Sequence, residues 1–365
     1  MKRTSAIRAV LAVGAVGAAV AVSIPASASA GGGTLSGAGS SLVAPLVATV
    51  FAPDFQSAGD GTVNYSSIGS SKGIAAITNR SVDFGASDAP LTSAQASACG
   101  CVNIPWALSA TGPAFHLGGV SSLNLSGPVL ANIYLGTVTM WNDPSIQALN
   151  KGVKLPAVPI TVIFRSDGSG DTYAFTKYLS DISPAFASKV GYGTSVSFPV
   201  GTGGNGNSGV AALINASNGT LGYVSTFYVR NAGLTGATVE NASGQFIHPY
   251  IQNIEAAASL ATTSITPGAE IPIVNPPGYV VPKVKKGHKA PKLTEKQKLE
   301  QIAYPLATYT YAIVPSSGNK QLSLLQSFLN FAITSAEQAK GAPLTFAALP
   351  AAVVSADKTE IAGLK

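Results

Sequence analysis

The sequence predicts an α/β protein in which strands pass into helices through glycine- and serine-rich turns. A β-branched or apolar stretch precedes such a turn three times, a segment with helical apolar spacing follows each turn, and 365 residues are enough for about two domains. Hydrophobic residues make up 46% and charged residues 10%, with 39 Gly and 23 Pro, which excludes a coiled coil, an acidic disordered tail or a dense basic nucleic-acid binder. Two Cys and three His are too few soft ligands for a zinc or iron–sulfur centre, so no metal and no cofactor is expected.

Residues 1–30 are set apart as a secretory signal. Lys2, Arg3 and Arg8 precede an apolar Ala/Val run from Ala9 to about Ile24, and Pro25 leads into five small residues ending at Ala30, the expected cleavage point. The mature chain is therefore expected outside the cytoplasm, secreted or periplasmic, and with no Cys at the cleavage site no lipid anchor is expected. Losing three basic residues lowers the net charge from +6 to +3. Seven lysines and a single acid, Glu295, lie between Lys283 and Lys298; without them the remaining mature chain carries 12 basic and 15 acidic residues. That segment reads as a solvated lysine-rich loop, and no nucleic-acid partner is expected.

The three units follow in order. Thr34–Gly37 leads through Ala38-Gly39-Ser40-Ser41 into a helix over Leu42–Phe51. Val63–Ser66 is a strand, Ile68–Gly73 a turn and Ile74–Ile77 a helix ending near Asn79. Ile160–Phe164 is a strand that runs into Arg165-Ser166-Asp167-Gly168-Ser169-Gly170-Asp171 and then a helix over Tyr173–Leu179. A helix start offers unpaired N–H groups and the positive end of the macrodipole, and Gly and Ser allow close approach and add hydroxyl donors. One such turn is ordinary capping; three brought together would enclose an oxyanion with few formal charges.

Several of these segments, in order, carry a family resemblance. Gly37-Ala38-Gly39-Ser40-Ser41-Leu42, Val63-Asn64-Tyr65 through Ser71, Val82-Asp83-Phe84-Gly85-Ala86-Ser87-Asp88 and Arg165 to Gly170 are similar to the periplasmic phosphate-binding protein (PstS) family of the phosphate-specific ABC transporter. So are Ile133–Gly136 with Trp141-Asn142-Asp143, Gly203–Gly209 and Gly222-Tyr223-Val224. The resemblance implies a two-lobed type II periplasmic-binding-protein fold with the ligand cleft between lobes and a two-crossover hinge. Lobe one would take residues 31–111 and 303–365, and lobe two residues 112–302.

The resemblance also implies the ligand set: Ser41 and the N–H of Leu42, Ser70, Asp88, Arg165, Ser169, Gly170 and Asp171 on phosphate, with Asp167 holding Arg165. A planar guanidinium suits a phosphate edge. Asp88 is the selective member, because phosphate near neutrality keeps a proton to give a carboxylate and sulfate has none. At two positions the chain departs from the family pattern: Asp171 stands where Thr is commoner, and Leu42 replaces an aromatic. At 171 a hydroxyl donor is lost, or a second proton acceptor gained, or Thr172 substitutes.

The function implied is a non-enzymatic, monomeric receptor that captures inorganic phosphate and delivers it to an ABC permease. The alternative is a secreted phosphatase or phosphoryl-transfer enzyme on the same scaffold, disfavoured because Ser41, Ser70 and Ser169 have no identifiable base and no metal cluster is evident. Cys99-Gly100-Cys101 is expected as a local disulfide on account of export, although a single intervening residue makes a tight ring; free thiols or pairing in trans are the alternatives. Leu322–Ile333 is expected as an amphipathic helix on lobe one.

Overall fold

The computed structural model describes residues 32–262, 265–283 and 288–365. The expected signal through Ala30, and residues 284–287 of the lysine-rich segment, lie outside the described residues. Eight strands form one continuous sheet: β1 (Thr34–Gly39), β2 (Thr62–Ser67), β3 (Phe84–Ser87), β4 (Cys101–His116), β5 (Thr161–Arg165), β6 (Thr202–Gly204), β7 (Thr220–Ser225) and β8 (Ala307–Pro315). Their order is β2-β1-β3-β8-β4-β7-β5-β6, with Thr235–Gly236 beside β4 as a short ninth strand. β1 pairs in parallel with β2 and β3, and β5 pairs in parallel with β6 and β7.

The 16-residue β4 belongs to both halves of the sheet. Residues 101–110 run antiparallel to β8, and residues 111–116 run antiparallel to β7. The chain returns through Ala303–Leu306 into β8, and the Thr111 N–H donates to the Leu306 carbonyl at 3.2 Å, so the two crossings lie side by side. We refer to the half containing β1 to β3 and β8 as lobe one, and to the half containing β5 to β7 as lobe two. Residues 268–273, expected within lobe two, instead pack on lobe one: the Asn103 N–H donates to Gly268, and the Ile271 N–H to the Tyr311 hydroxyl. From the same segment Glu270 accepts from Tyr173 of lobe two at 3.2 Å.

Each lobe has its own aromatic core. In lobe one, Phe328 packs on Phe55, Phe84 and Trp106 at centroid distances of 5.2, 5.7 and 5.9 Å. It lies on the helix Leu322–Ala332, which buries Leu325, Phe328 and Leu329 on one face, as its apolar spacing requires. In lobe two, Phe175 stacks on Tyr223 at 4.5 Å and meets Tyr134 edge-on at 4.7 Å. Such side chains contribute about 1.5–3 kcal/mol each on burial, so both walls of the crevice between the lobes rest on firm supports.

Three local expectations are corrected. The first helix begins at Ala44 rather than Leu42, includes a π-helical turn over Val47–Phe51 and continues to Ser57. Pro53 has no N–H to close an ordinary turn, and the widened turn immediately precedes it. The lysine-rich segment is not all loop, because Thr294 and Gln297 form a capping box that starts a helix over Glu295–Ile302. The other two cradle helices begin three or four residues early, at Ser70 and Gly170. Cys99 and Cys101 are joined in a disulfide, with the Arg80 guanidinium donating to the Cys99 carbonyl at 2.8 Å.

Candidate functional site

In sheets with parallel strands, ligands collect beyond the carboxyl ends of the strands, and here the ends of five parallel strands from two lobes face one crevice. Lobe one supplies Ser40 and Ser41 after β1, Ser70 after β2 and Asp88 after β3. Lobe two supplies Arg165 at the end of β5 with Ser169 to Asp171 beyond it, and Asn207 after β6. Gly69 precedes Ser70 at φ +89°, a left-handed conformation that a side chain would strain, and this turn aims the helix Ser70–Thr78 into the crevice. The lobes touch: the Gly170 N–H donates to Ser70 Oγ at 3.1 Å, and a Cβ on Gly170 would overlap the Asp88 side chain.

The lobe-two wall is an ion network. Arg165 donates from Nε to Asp167 Oδ1 at 2.8 Å, from Nη2 to Asp167 Oδ2 at 2.5 Å and from Nη1 to Asp171 Oδ2 at 2.6 Å. Burial opposes the charge on Arg165, but the Asp167 hydrogen bond and the Asp171 and Asp167 carboxylates outweigh it and raise its pKa. Asp167 is held below the usual carboxylate range: burial acts against its charge, and the Arg165 hydrogen bond, the Arg165 charge and the Gly206 N–H overcome that. The Tyr223 hydroxyl accepts from the Arg165 N–H and pairs with Thr172 Oγ1 at 2.8 Å, which ties the end of β5 to the helix Gly170–Ile182. The Thr172 hydroxyl is thereby engaged with Tyr223.

Asp171 Oδ2 is crowded and Oδ1 is not. Oδ2 accepts from Arg165, from Asn207 Nδ2 at 2.8 Å and from Ser169 Oγ at 3.3 Å, whereas Oδ1 is buried with no partner among the described residues. Ser169 caps its helix, its Oγ accepting from the N–H groups of Asp171 at 3.0 Å and Thr172 at 3.4 Å.

The lobe-one wall carries a carboxylate with no cation bonded to it among the described residues. Asp88 accepts from Ser40 Oγ at 2.6 and 2.7 Å and from Thr310 Oγ1 at 2.6 Å. Its pKa is pushed up to about 7, by burial first and by the Asp171 charge second, against the lowering effect of the two hydroxyls and Arg165. An oxygen held there near neutrality serves as a proton acceptor when ionised and a donor when not.

The expected residues Ser41, Leu42, Ser70, Asp88, Arg165, Asp167, Ser169, Gly170 and Asp171 all lie around this crevice. Ser41 Oγ accepts from the side chain of Asn207 at 3.0 Å, across the lobes. The Leu42 N–H is turned to Ser40 Oγ at 3.0 Å, and it sits in a turn rather than at the first residue of the helix. Sequence reasoning missed Ser40, Thr310 and Asn207. Asn207 had a readable signal in Gly204-Asn205-Gly206-Asn207, a further strand, Gly turn and helix unit; Thr310 lies inside β8, where nothing local marks it. The described residues place no His in this crevice, and they contain no group of three or more His, Cys, Asp or Glu placed to hold a metal ion.

Comparisons with known proteins identify the family and the fold. Residues 25–337 match a family model described as a PBP superfamily domain. The phosphate-binding protein PstS of Xylella fastidiosa (strain Temecula1 / ATCC 700964) is 39% identical over 246 residues, 67% of each chain. That of Pasteurella multocida (strain Pm70) is 38% identical over 247 residues, 67% of this chain and 72% of its own. Among solved structures, a periplasmic phosphate-binding protein determined with phosphate bound superposes with a TM-score of 0.66 at 18% identity, covering 90% of this chain and 93% of its own. A substrate-binding protein of a phosphate ABC transporter from Clostridium perfringens gives 0.61 at 17% identity, covering 87% and 100%. At those identities the structural likeness speaks for the fold.

Proposed function

Since the chain belongs to the PBP superfamily and within it to the phosphate-binding protein PstS family, we propose that the interlobe crevice captures one inorganic phosphate ion and that the closed protein presents it to an ABC permease. It is a substrate-binding receptor of a phosphate transporter, not an enzyme. No helix among the described residues is long and apolar enough to cross a membrane; the proposed place of action is outside the cytoplasm.

Phosphate would be held by Ser41, the Leu42 and Gly170 N–H groups, Ser70, Arg165 and Ser169 as donors, with Asp88 and Asp171 as acceptors. Several of these groups bond one another across the crevice, and phosphate oxygens would take over those bonds between the two lobes. The observation that carries the reading is Asp88: a buried carboxylate bonded only to hydroxyls among the described residues, facing the Arg165 side of the crevice. A proton-bearing oxyanion fits there, and a fully ionised one meets repulsion. Asp171 Oδ1, a buried acceptor with no partner among the described residues, supports a sharper form in which phosphate carries two protons.

Calorimetric titration of the mature chain tests this. At pH 9 phosphate and arsenate should bind one to one, with sulfate weaker by about 10², because that is two units above the pH at which Asp88 ionises. Equal affinities for sulfate and phosphate would overturn the reading.

A further inference from the structure

A second cavity opens between the lobes, apart from the crevice just described. It encloses about 570 Å³, within the usual range for small-molecule sites. Most of its wall comes from lobe two, with apolar surface from Val229, Leu234 and Ile251, and its opposite side is Ala342 and Thr345 of lobe one. The Tyr304 ring, at the second crossing, completes the floor, and the hydroxyl at its tip is buried without a partner among the described residues.

The charges of this wall are one-sided. Arg230 is exposed at the rim, donates from Nη1 to the Pro343 carbonyl at 2.9 Å, and is the only Lys or Arg among the described lining residues. No Asp or Glu is among them. Burial lowers the pKa of His248 in the same wall, which favours the neutral ring and leaves Arg230 as the fixed positive charge.

We propose that this cavity is a binding site for a small organic monoanion, an apolar body carrying one carboxylate or sulfonate, seated on Val229, Leu234 and Ile251 with its charge on Arg230. The same site is linked to closure. Arg230 to Pro343 and Thr226 to Thr345, at 2.8 Å, are contacts between lobes, so separating the lobes removes one wall. An occupant that needs both walls binds the closed form better, and by reciprocity phosphate tightens its binding. That linkage, unlike the site itself, rests on the reading of the crevice as a phosphate site that closes.

The probe is anilinonaphthalene sulfonate, titrated by fluorescence against the mature chain, with uncharged phenylnaphthylamine as its control. One saturable site is expected. Arg230→Gln, a rim change that disturbs no core, should weaken the sulfonate by about tenfold, the loss of one charge-assisted contact, and leave the uncharged probe within about twofold. Val229→Trp should displace both probes. Saturating phosphate should tighten the sulfonate by about fivefold. Equal binding of the two probes to the wild-type chain, or sulfonate binding untouched by both substitutions, overturns the site. Phosphate that binds by calorimetry yet leaves the sulfonate affinity unchanged overturns the linkage. Should phosphate itself not bind, the crevice reading falls, and the two probes still decide the cavity.

Discussion

The two walls of the crevice handle buried carboxylates in opposite ways. On the lobe-two wall, Asp167 and Asp171 are bonded to Arg165, and Asp167 is held ionised. On the lobe-one wall, Asp88 has only hydroxyls for partners among the described residues and is pushed up to about 7 by burial and by Asp171. One wall is a fixed cationic fork braced by its own counter-ions; the other is a proton-sensitive oxygen. The difference separates two features: the one Arg of the site is fixed in lobe two, and the carboxyl that titrates near neutrality is in lobe one.

The largest expected effect comes from abolishing the contrast at Asp88. Asp88→Asn keeps the shape but offers an oxygen to accept or a nitrogen to donate. Phosphate still finds an acceptor, whereas sulfate gains a donor and loses a repulsive charge. In parallel titrations at pH 9 the phosphate-to-sulfate affinity ratio should shrink by about 10², the penalty that a carboxyl ionising near 7 puts on sulfate two units higher, with the phosphate affinity moving less than the sulfate affinity. A ratio left intact would move selectivity to Asp171.

Removing the fork tests the other wall. Arg165→Ala deletes the charge-assisted donor and leaves Asp167 and Asp171 facing each other. A loss of about tenfold to a hundredfold in phosphate affinity is expected, and sulfate should lose by a similar factor because the guanidinium donates to either oxyanion. A calorimetric change below about twofold would remove Arg165 from the ligand set.

How much of this was readable beforehand differs between the walls. Arg165, Asp167, Ser169 and Asp171 lie within seven consecutive residues, so the lobe-two network is local and its composition stands in the sequence. The environment of Asp88 is assembled from afar: Ser40 is 48 positions away and Thr310 is 222. Neither pairing has a periodic or motif signal: Ser40 reaches Asp88 because β1 pairs with β3, and Thr310 does so because β8 inserts between β3 and β4. The excursion of residues 268–273 onto lobe one likewise rests on contacts distant in sequence, with Asn103 and Tyr311. Helix starts were misplaced by two to four residues for local reasons. At Gly69 the cap position carries no side chain to mark the start.

The proton test can also be read without a substitution, by titrating the wild-type chain with sulfate across pH. Below about 7 Asp88 is protonated and donates to a sulfate oxygen; above it the carboxylate repels the ion. Sulfate affinity should therefore be level at low pH and fall by up to about tenfold per unit above about 7. Phosphate should fall less, because it still carries one proton well above neutrality. A sulfate affinity that rises with pH would place a different group in control.

The smallest effect concerns Ser40, which sequence reasoning passed over for its neighbour. Its hydroxyl donates to Asp88 and so lowers the pKa of that carboxyl, and its oxygen also accepts from the Leu42 N–H. Ser40→Ala removes a donor that favours the ionised form, so the pKa of Asp88 should rise further and the midpoint of the sulfate profile should move to higher pH. Phosphate affinity below that midpoint should stay within about threefold, because no charge is removed and Thr310 still holds Asp88. The turn before the first helix should lose about 1 kcal/mol with its cap-like bond, a decrease visible in thermal unfolding without ligand. A midpoint that stays in place or moves down would mean that Asp88 is tuned by burial and Asp171 alone, with Ser40 a structural bystander.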